Sequence, residues 1–353
     1  MSGFYPLLLA VGVLAGCVAA RADEDTVVYT AGPEARGRLT VSGTILDYTG
    51  EQLRIRTDAG RELVVPTDRI SEIKTKWTAA YEDGDRLFAA GDFAAAIDKY
   101  RQALRDEQRV WAERQILARS VRACCHVEDY GRAGELFLRL VTSDRATQHF
   151  EVIPLAWWPH RPAPGLQQQA AGWLANSREP VAQLLGASWL LESTQRPAAV
   201  AALEQLQKDR DRRVSQLAET QRWRTRCSVA SEDEVRGWET AIGRLRADLR
   251  AGPYFLLGQG WSTVGHHEQA VLAFLRCPVL YPGDRRVAAS ALLSAARELE
   301  TIGQRDEAAG LLRELRQRYP DSRAAAECGD ASPPAEKRRP AVPSGRRPEQ
   351  QDR

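Results

Sequence analysis

The sequence predicts a mainly α-helical protein, an α-solenoid preceded by a small antiparallel β-barrel module. Three observations predict this fold class. Between residues 26 and 76, short runs of β-branched residues alternate with turn residues. From residue 77 to residue 328 the apolar residues recur mostly at helical spacing. Within that helical part, Ala270 to Ala308 and Pro282 to Pro320 are both steps of 38 residues. Helix pairs repeated in this way stack into a solenoid.

The first 22 residues are predicted to be an export signal, because Leu7–Gly16 is apolar and too short to span a bilayer. Two cleavage patterns follow it. Leu14–Cys17 resembles a bacterial lipobox, in which Cys17 is lipidated and becomes the mature N-terminus. Ala20–Ala22 instead fits the small-x-small site of ordinary signal peptidase. The four lipobox matches favour a lipid-anchored envelope protein, and a released periplasmic or secreted protein is the alternative.

Residues 26–76 read as a small β module. Gln52–Thr57 alternates polar and apolar residues, as a strand with one buried face does, and Asp58–Gly60 predicts a hairpin turn. Four or five short strands in about fifty residues predict a small antiparallel barrel. The pattern from Gly43 to Pro66 resembles SH3-like and Sm-like barrels. The resemblance implies a module that binds proteins or only stabilises the N-terminal end of the helical part.

The clearest helical motif lies in residues 251–328. Tyr254 and Leu257, followed by Gly258 and Trp261, match in form a helix-A signature, W-x₂-L-G-x₂-Y. The residues at later positions of this unit and the next are Ala270, Phe274, Pro282, Ala296, Gly303, Ala308, Leu312 and Pro320. This set resembles the tetratricopeptide repeat, a helix pair A and B. Small residues let the two helices approach, large residues fill the space between them, and proline ends helix B.

Residues 77–143 resemble the same repeat. Its first unit has Gly84 at the small position of helix A and Tyr100 at the large position of helix B. A second unit, from Leu117 to Leu140, is poorer. It keeps Phe137 at the large position but has Val121 at the small one.

In this family, five positions of helix A face a concave groove that binds a peptide or a protein segment. By register, the resemblance places these positions at Tyr81, Asp85, Phe88, Arg122, Phe255, Gln259, Arg297 and Glu300. We call these eight residues the helix-A face. A mixed aromatic and charged lining suits an extended segment that offers backbone groups and a few side chains. The resemblance therefore implies a non-enzymatic scaffold with a protein or peptide partner.

Residues 144–250 are of another kind. A rigid proline-rich and aromatic segment, Pro154–Pro164, interrupts the helices. The helical segments after it resemble HEAT repeats, with Asp211–Ala218 as the resembling element, and diverged tetratricopeptide repeats are the alternative. Trp157 and Trp158 either anchor the loop onto a core or form a platform for a sugar or peptide.

Catalytic and metal-binding patterns are not found. No nucleophile, zinc or phosphate-loop motif occurs, so neither an enzyme nor a cofactor is predicted. Cys124 and Cys125 precede His126, but adjacent residues on a helix point about 100° apart and do not easily close one tetrahedral site. We therefore expect buried packing cysteines rather than a disulfide or a metal site. His266 and His267 are expected to form an exposed turn pair.

Charge and the C-terminal segment complete the prediction. The 353 residues include 49 basic and 47 acidic side chains, a net charge of +2. This balance argues against a nucleic-acid binder, which usually carries a basic domain. Residues 329–353 are rich in proline, arginine and glutamine and are predicted to be a disordered tail. An alternative function is a structural cell-envelope protein that adheres to cell-wall polymer through this tail and the tryptophan pair.

Overall fold

The computed structural model describes residues 24–32, 37–159 and 161–328. It divides into two compact units. Unit 1 runs to Ala156 and continues over His160–Ala202, and unit 2 comprises Trp157–Pro159 and the chain from Leu203 onward. The predicted signal at residues 1–22, with Cys17, and the predicted tail at residues 329–353 lie outside the described residues. The domain boundaries expected at residues 144 and 251 stay predictions.

The described chain confirms a mainly helical protein with an antiparallel sheet at its start. The strands are β1 (Asp25–Thr30), β2 (Arg38–Tyr48), β3 (Gln52–Thr57), β4 (Glu62–Pro66) and β5 (Ile70–Lys74). The helices of unit 1 are α1 (Ala79–Ala89), α2 (Phe93–Asp106), α3 (Val110–His126), α4 (Tyr130–Ser143), α5 (Pro164–Ala175) and α6 (Pro180–Leu190). The next helix, α7 (Arg196–Leu206), crosses the division between the units. The helices of unit 2 are α8 (Arg212–Trp223), α9 (Glu232–Arg244), α10 (Ala251–Thr263), α11 (His267–Leu280), α12 (Arg285–Thr301), α13 (Arg305–Arg318) and α14 (Arg323–Glu327).

The sheet has the strand order β4-β3-β2-β1-β5, and all its pairs are antiparallel. β2 is long enough to pair with both β1 and β3, and its register shifts between Ile45 and Asp47. A Cβ atom at Gly43 would lie 2.1 Å from the carbonyl oxygen of Arg56, so the chain needs glycine where β2 passes β3. The antiparallel strands are confirmed, whereas the SH3-like barrel stays a prediction.

The buried face of the sheet packs against α3. Val27, Leu53 and Ile55 are fully buried and share one core cluster with Trp111 and Ala112 at the start of α3. Since apolar burial contributes roughly 25 cal/mol per Å², this cluster ties the β module to the first helices.

Successive helices pack as pairs, α1 with α2 and α3 with α4 in unit 1, and α10 with α11 and α12 with α13 in unit 2. Each of these four pairs turns through one residue with positive φ. Three of these residues are glycines, Gly91, Gly265 and Gly303, with φ of 83°, 81° and 82°. In the second pair the residue is Glu128, with φ of 61°. Glycine adopts this conformation without a steric cost, whereas glutamate does not.

The predicted small-to-large contacts hold the pairs together. A Cβ atom at Gly84 would lie 2.7 Å from the ring of Tyr100, and one at Gly258 would lie 2.5 Å from the ring of Phe274. The two helices therefore approach more closely than any larger residue allows. α11 and α13 end directly before Tyr281-Pro282 and Tyr319-Pro320, as predicted.

The middle of the chain is helical, as expected, and its repeat type stays open. In unit 1, α6 is buried nearly all round. In unit 2, Trp223 of α8 and Trp238 of α9 stack with their ring centroids 5.2 Å apart.

The five cysteines of the described chain are not joined by disulfides. Cys124, Cys277 and Cys328 are buried, and Cys125 and Cys227 are partly exposed. Burial raises the pKa of the Cys124 thiol to about 11 and that of the Cys227 thiol to about 12, so both stay protonated near neutral pH. Over the residues with assigned structure, no cluster of three potential metal ligands occurs. Within that same part, no helix is both long and apolar enough to cross a membrane.

Candidate partner-binding surface

The first helix of unit 1 carries three residues of the helix-A face, and Tyr81 does not lie on a free surface. Its side chain is only 4% exposed, with its ring 4.2 Å from that of Trp77 and 6.0 Å from that of Tyr100. A large aromatic residue at this position fills the space between helices A and B. Tyr81 is therefore a core residue, and its assignment to a groove is wrong for this structure.

Asp85 is partly exposed and holds a polar cluster. Its Oδ1 accepts a hydrogen bond of 2.6 Å from the Tyr100 hydroxyl and lies 3.5 Å from Nε of Arg119. Burial and this hydrogen bond raise the pKa of Tyr100 well above its ordinary value, so the phenol stays a donor. Asp85 thus orients a buried tyrosine and an arginine.

Phe88 is half-buried in an aromatic cluster at the end of α1. Its ring lies 5.2 Å from Phe93 and 5.3 Å from His126, and the last two rings stack at 4.2 Å. The imidazole of His126, which follows Cys124 and Cys125, is thus engaged in ring contacts.

Arg122 contacts a segment of its own chain. Its guanidinium lies 2.6 Å from the Glu151 carboxylate, in the short helical turn Phe150–Val152 that follows α4. Phe150 is fully buried with its ring 5.6 Å from that of Phe137. Residues 147–156, which we call the covering segment, therefore pack on α4 and pair with Arg122, whose side chain is still 44% exposed. The sequence placed them within residues 144–250 and gave no sign of this contact.

The covering segment also contains a perturbed histidine. Burial, followed by the charges of Arg122 and Arg119, lowers the pKa of His149 from 6.5 to about 4. The imidazole is therefore neutral at physiological pH, because protonation would place a charge in a poorly hydrated site beside two cations.

In unit 2, Phe255 is also a core residue. It is 4% exposed, and its ring lies 5.6 Å from that of Phe274 on helix B. Its predicted place in the groove is wrong for the same reason as that of Tyr81. Both residues occupy the fifth position of helix A, and both meet the large residue of helix B.

The remaining residues of the helix-A face in unit 2 are accessible. Gln259 on α10 is partly exposed, and Glu300 on α12 is exposed. The Arg297 side chain is 60% exposed and makes only a 3.5 Å contact with Glu327. Arg297 and Glu300 are three residues apart and so lie on one side of α12. These three residues form the open part of the helix-A face.

A buried polar cluster beside this surface was not predicted. Glu298 is 13% exposed, and its two carboxylate oxygens lie 2.7 Å from the Ser262 hydroxyl and 2.7 Å from His267 Nδ1. It joins α10, α11 and α12. His266 Nε2 lies 3.1 Å from Glu232, so each histidine of the pair meets a carboxylate. Nothing in the sequence separates Glu298 from the exposed acidic residues around it, because its role depends on contacts between helices.

The tryptophan pair anchors its loop. A Cβ atom at Gly252 would lie 2.0 Å from the indole of the buried Trp157, so this ring packs directly on the start of α10. The Arg286 guanidinium covers the Trp158 ring at 3.9 Å, and Arg224 donates a hydrogen bond to the Trp158 carbonyl. The anchoring interpretation therefore describes these contacts, and the rings do not form an open platform.

Comparison with known proteins agrees with part of this description. Residues 290–322 match the family model of the tetratricopeptide repeat. No curated protein matches the sequence. The matched segment contains Arg297 and Glu300 and covers most of α12, all of α13 and the Tyr319-Pro320 ending. The match and the repeated helix pairs together support a tetratricopeptide-repeat protein, a class of mostly non-catalytic scaffolds for protein-protein interaction.

Proposed function

We propose that this chain is an exported, non-enzymatic scaffold that binds a peptide or protein segment on the open part of its helix-A face. The observation that supports it best is the exposure of Arg297 and Glu300 on the repeat that matches the family model. Gln259 adds an amide on α10. One cation, one anion and one amide suit an extended segment that presents backbone groups and charged side chains.

The proposal of export comes from the N-terminal sequence. The lipobox-like Leu14–Cys17 favours a lipid anchor on Cys17, and Ala20–Ala22 would release the chain instead. The intact mass of the mature protein from membrane and soluble fractions tests this. A chain that starts at Cys17 with added diacylglycerol supports the anchored form, whereas an unprocessed Met1 overturns export.

The contacts of the tryptophan pair count against the cell-wall alternative. It needs an accessible tryptophan pair, and Trp157 and Trp158 are engaged by Gly252 and Arg286. Its other element, the basic segment within residues 329–353, lies outside the described residues. Among the described residues of unit 2, no contact favours this function over the scaffold.

Site-specific photo-crosslinking tests the binding surface. A photoreactive residue in place of Glu300 should form a defined adduct with a partner in the native host. The same residue in place of Glu307, exposed on α13 of the same repeat, should not. Arg297→Glu should abolish the adduct, and Arg313→Glu, an exposed control on α13, should leave it. Equal adducts from positions 300 and 307, or an adduct that survives Arg297→Glu, would contradict the proposal.

A further inference from the structure

A cleft of about 280 Å³ lies within unit 1. Its walls are the strand β5, the end of β2, the start of α3 and the loop after α4. The residues that line it include Ile70, Ser71, Glu72, Ile73, Trp77, Trp111, Arg114, Asp144 and His149. We call it the β5 cleft.

The β5 cleft runs along an open strand edge. In the described chain β5 pairs with β1 on one side, and no strand pairs with its other side. Ile70 to Ile73, four consecutive residues, all line the cleft. Since successive side chains of a strand point to opposite faces, a cleft that meets all four lies at the edge, where the backbone N–H and C=O groups project.

The cleft contains a buried donor without an acceptor. Trp111 is 4% exposed, and its Nε1 has no hydrogen-bond partner among the residues that the structure describes. Its rings contact Trp77 and the Arg109 guanidinium, neither of which accepts a hydrogen bond from the indole. An unsatisfied buried donor is costly. A carbonyl oxygen would supply the missing acceptor if the side chains around this closed nitrogen shifted to admit it.

The charges of the cleft favour a basic occupant. The Arg114 guanidinium is already paired with Asp47 at 2.8 Å, and His149 is neutral because its pKa is lowered to about 4. Glu72 has an exposed contact of 3.5 Å with Lys74. The Asp144 carboxylate accepts hydrogen bonds from the backbone N–H groups of Gly50 and Ala146. With Arg114 paired to Asp47 and Glu72 paired to Lys74, Asp144 leaves one negative charge in excess at the cleft.

We propose that the β5 cleft binds an extended peptide of a partner protein, which adds a strand to the edge of β5 and places a basic side chain beside Asp144. Backbone pairing would supply affinity, and the acidic lining would select the sequence. A backbone carbonyl of the peptide would accept a hydrogen bond from Trp111 Nε1. This site is independent of the function proposed for unit 2, and either can fail without the other.

A phage library of random seven-residue peptides, panned against the full chain, tests this proposal. Enriched peptides should alternate polar and apolar residues and carry Lys or Arg. They should slow hydrogen exchange in β5. Glu72→Lys should weaken a selected peptide by about tenfold or more. Trp111→Phe, which keeps an aromatic side chain of smaller size and removes the donor, should weaken it by up to about tenfold. Glu62→Lys, the matched change on the opposite edge strand β4, should not weaken binding.

Three outcomes would overturn the proposal. The first is an absence of enriched peptides, and the second is binding that Glu72→Lys leaves unchanged in a folded variant. The third is a dimer in analytical ultracentrifugation that dissociates on Glu72→Lys. That result would assign the edge of β5 to a second copy of the chain. The melting temperature of each variant confirms that the fold is intact.

Discussion

The helix-A face differs between the two units at the same repeat position. Arg122 in unit 1 and Arg297 in unit 2 both occupy the ninth position of helix A. Arg122, 44% exposed, is paired with Glu151 of the covering segment at 2.6 Å, whereas Arg297, 60% exposed, has a looser contact of 3.5 Å with Glu327. The repeat pattern decides which side of the helix a residue occupies. The segments that follow decide how closely its charge is already paired.

Removal of the main anchor of the covering segment should have the largest effect. Phe150→Ala deletes a fully buried ring that packs on Phe137, and such truncations cost about 3–5 kcal/mol. Urea unfolding should show this loss, and hydrogen exchange should accelerate over residues 147–156. Leu272→Ala in unit 2 is the control, because Leu272 is exposed. A loss below 1 kcal/mol would mean that the segment does not depend on this contact.

Acid should weaken unit 1 through His149. The folded-state pKa of about 4 is lower than the ordinary 6.5, so the contribution of neutral His149 is complete above pH 6.5. It is lost as the pH falls from 6.5 toward 4, by up to about 2 kcal/mol. Unfolding followed from pH 7.5 to pH 4.5 should show a slope that His149→Gln reduces. An unchanged slope in that variant would assign the acid sensitivity to other groups.

Loss of the buried carboxylate in unit 2 should cost less. Glu298→Ala leaves Ser262 and His267 without their acceptor and should destabilise unit 2 by about 1–2 kcal/mol. Glu298→Gln keeps one acceptor oxygen and should recover part of this loss. Glu300→Ala, two residues away and exposed, is the matched control. If both alanine variants unfold alike, the cluster is not a structural anchor.

The smallest effect should be a gain. Glu128→Gly places glycine at the one turn of the four named helix pairs that lacks it and relieves a left-handed backbone, for about 0.5–1 kcal/mol of added stability. The reverse change, Gly303→Glu in unit 2, should destabilise by a similar amount. Chemical denaturation of both variants checks this. No gain from Glu128→Gly would mean that other contacts of Glu128 compensate for the strain.

The sequence predictions succeeded where they depended on residues close together in the chain. The period of two in Gln52–Thr57 and the pairs Gly84 with Tyr100 and Gly258 with Phe274 depend on local spacing, and the structure confirms them. The predicted groove positions of Tyr81 and Phe255 were wrong. The register of the repeat gives the direction in which a side chain points, but not the space between the helices that it can fill. Both aromatic rings lie in the space between helices A and B, where burial stabilises them.

The chain alone predicted four or five short antiparallel strands, helix pairs with small residues at their contacts, and the prolines that end α11 and α13. Each depends on residues that are near in sequence, and their physics is local. The pairing of Arg122 with Glu151, the Glu298 cluster and the open edge of β5 are tertiary outcomes. They arise where segments about 30 or more residues apart in the sequence pack together. The spacing of apolar residues along the chain does not tell which side chains such packing buries or leaves exposed.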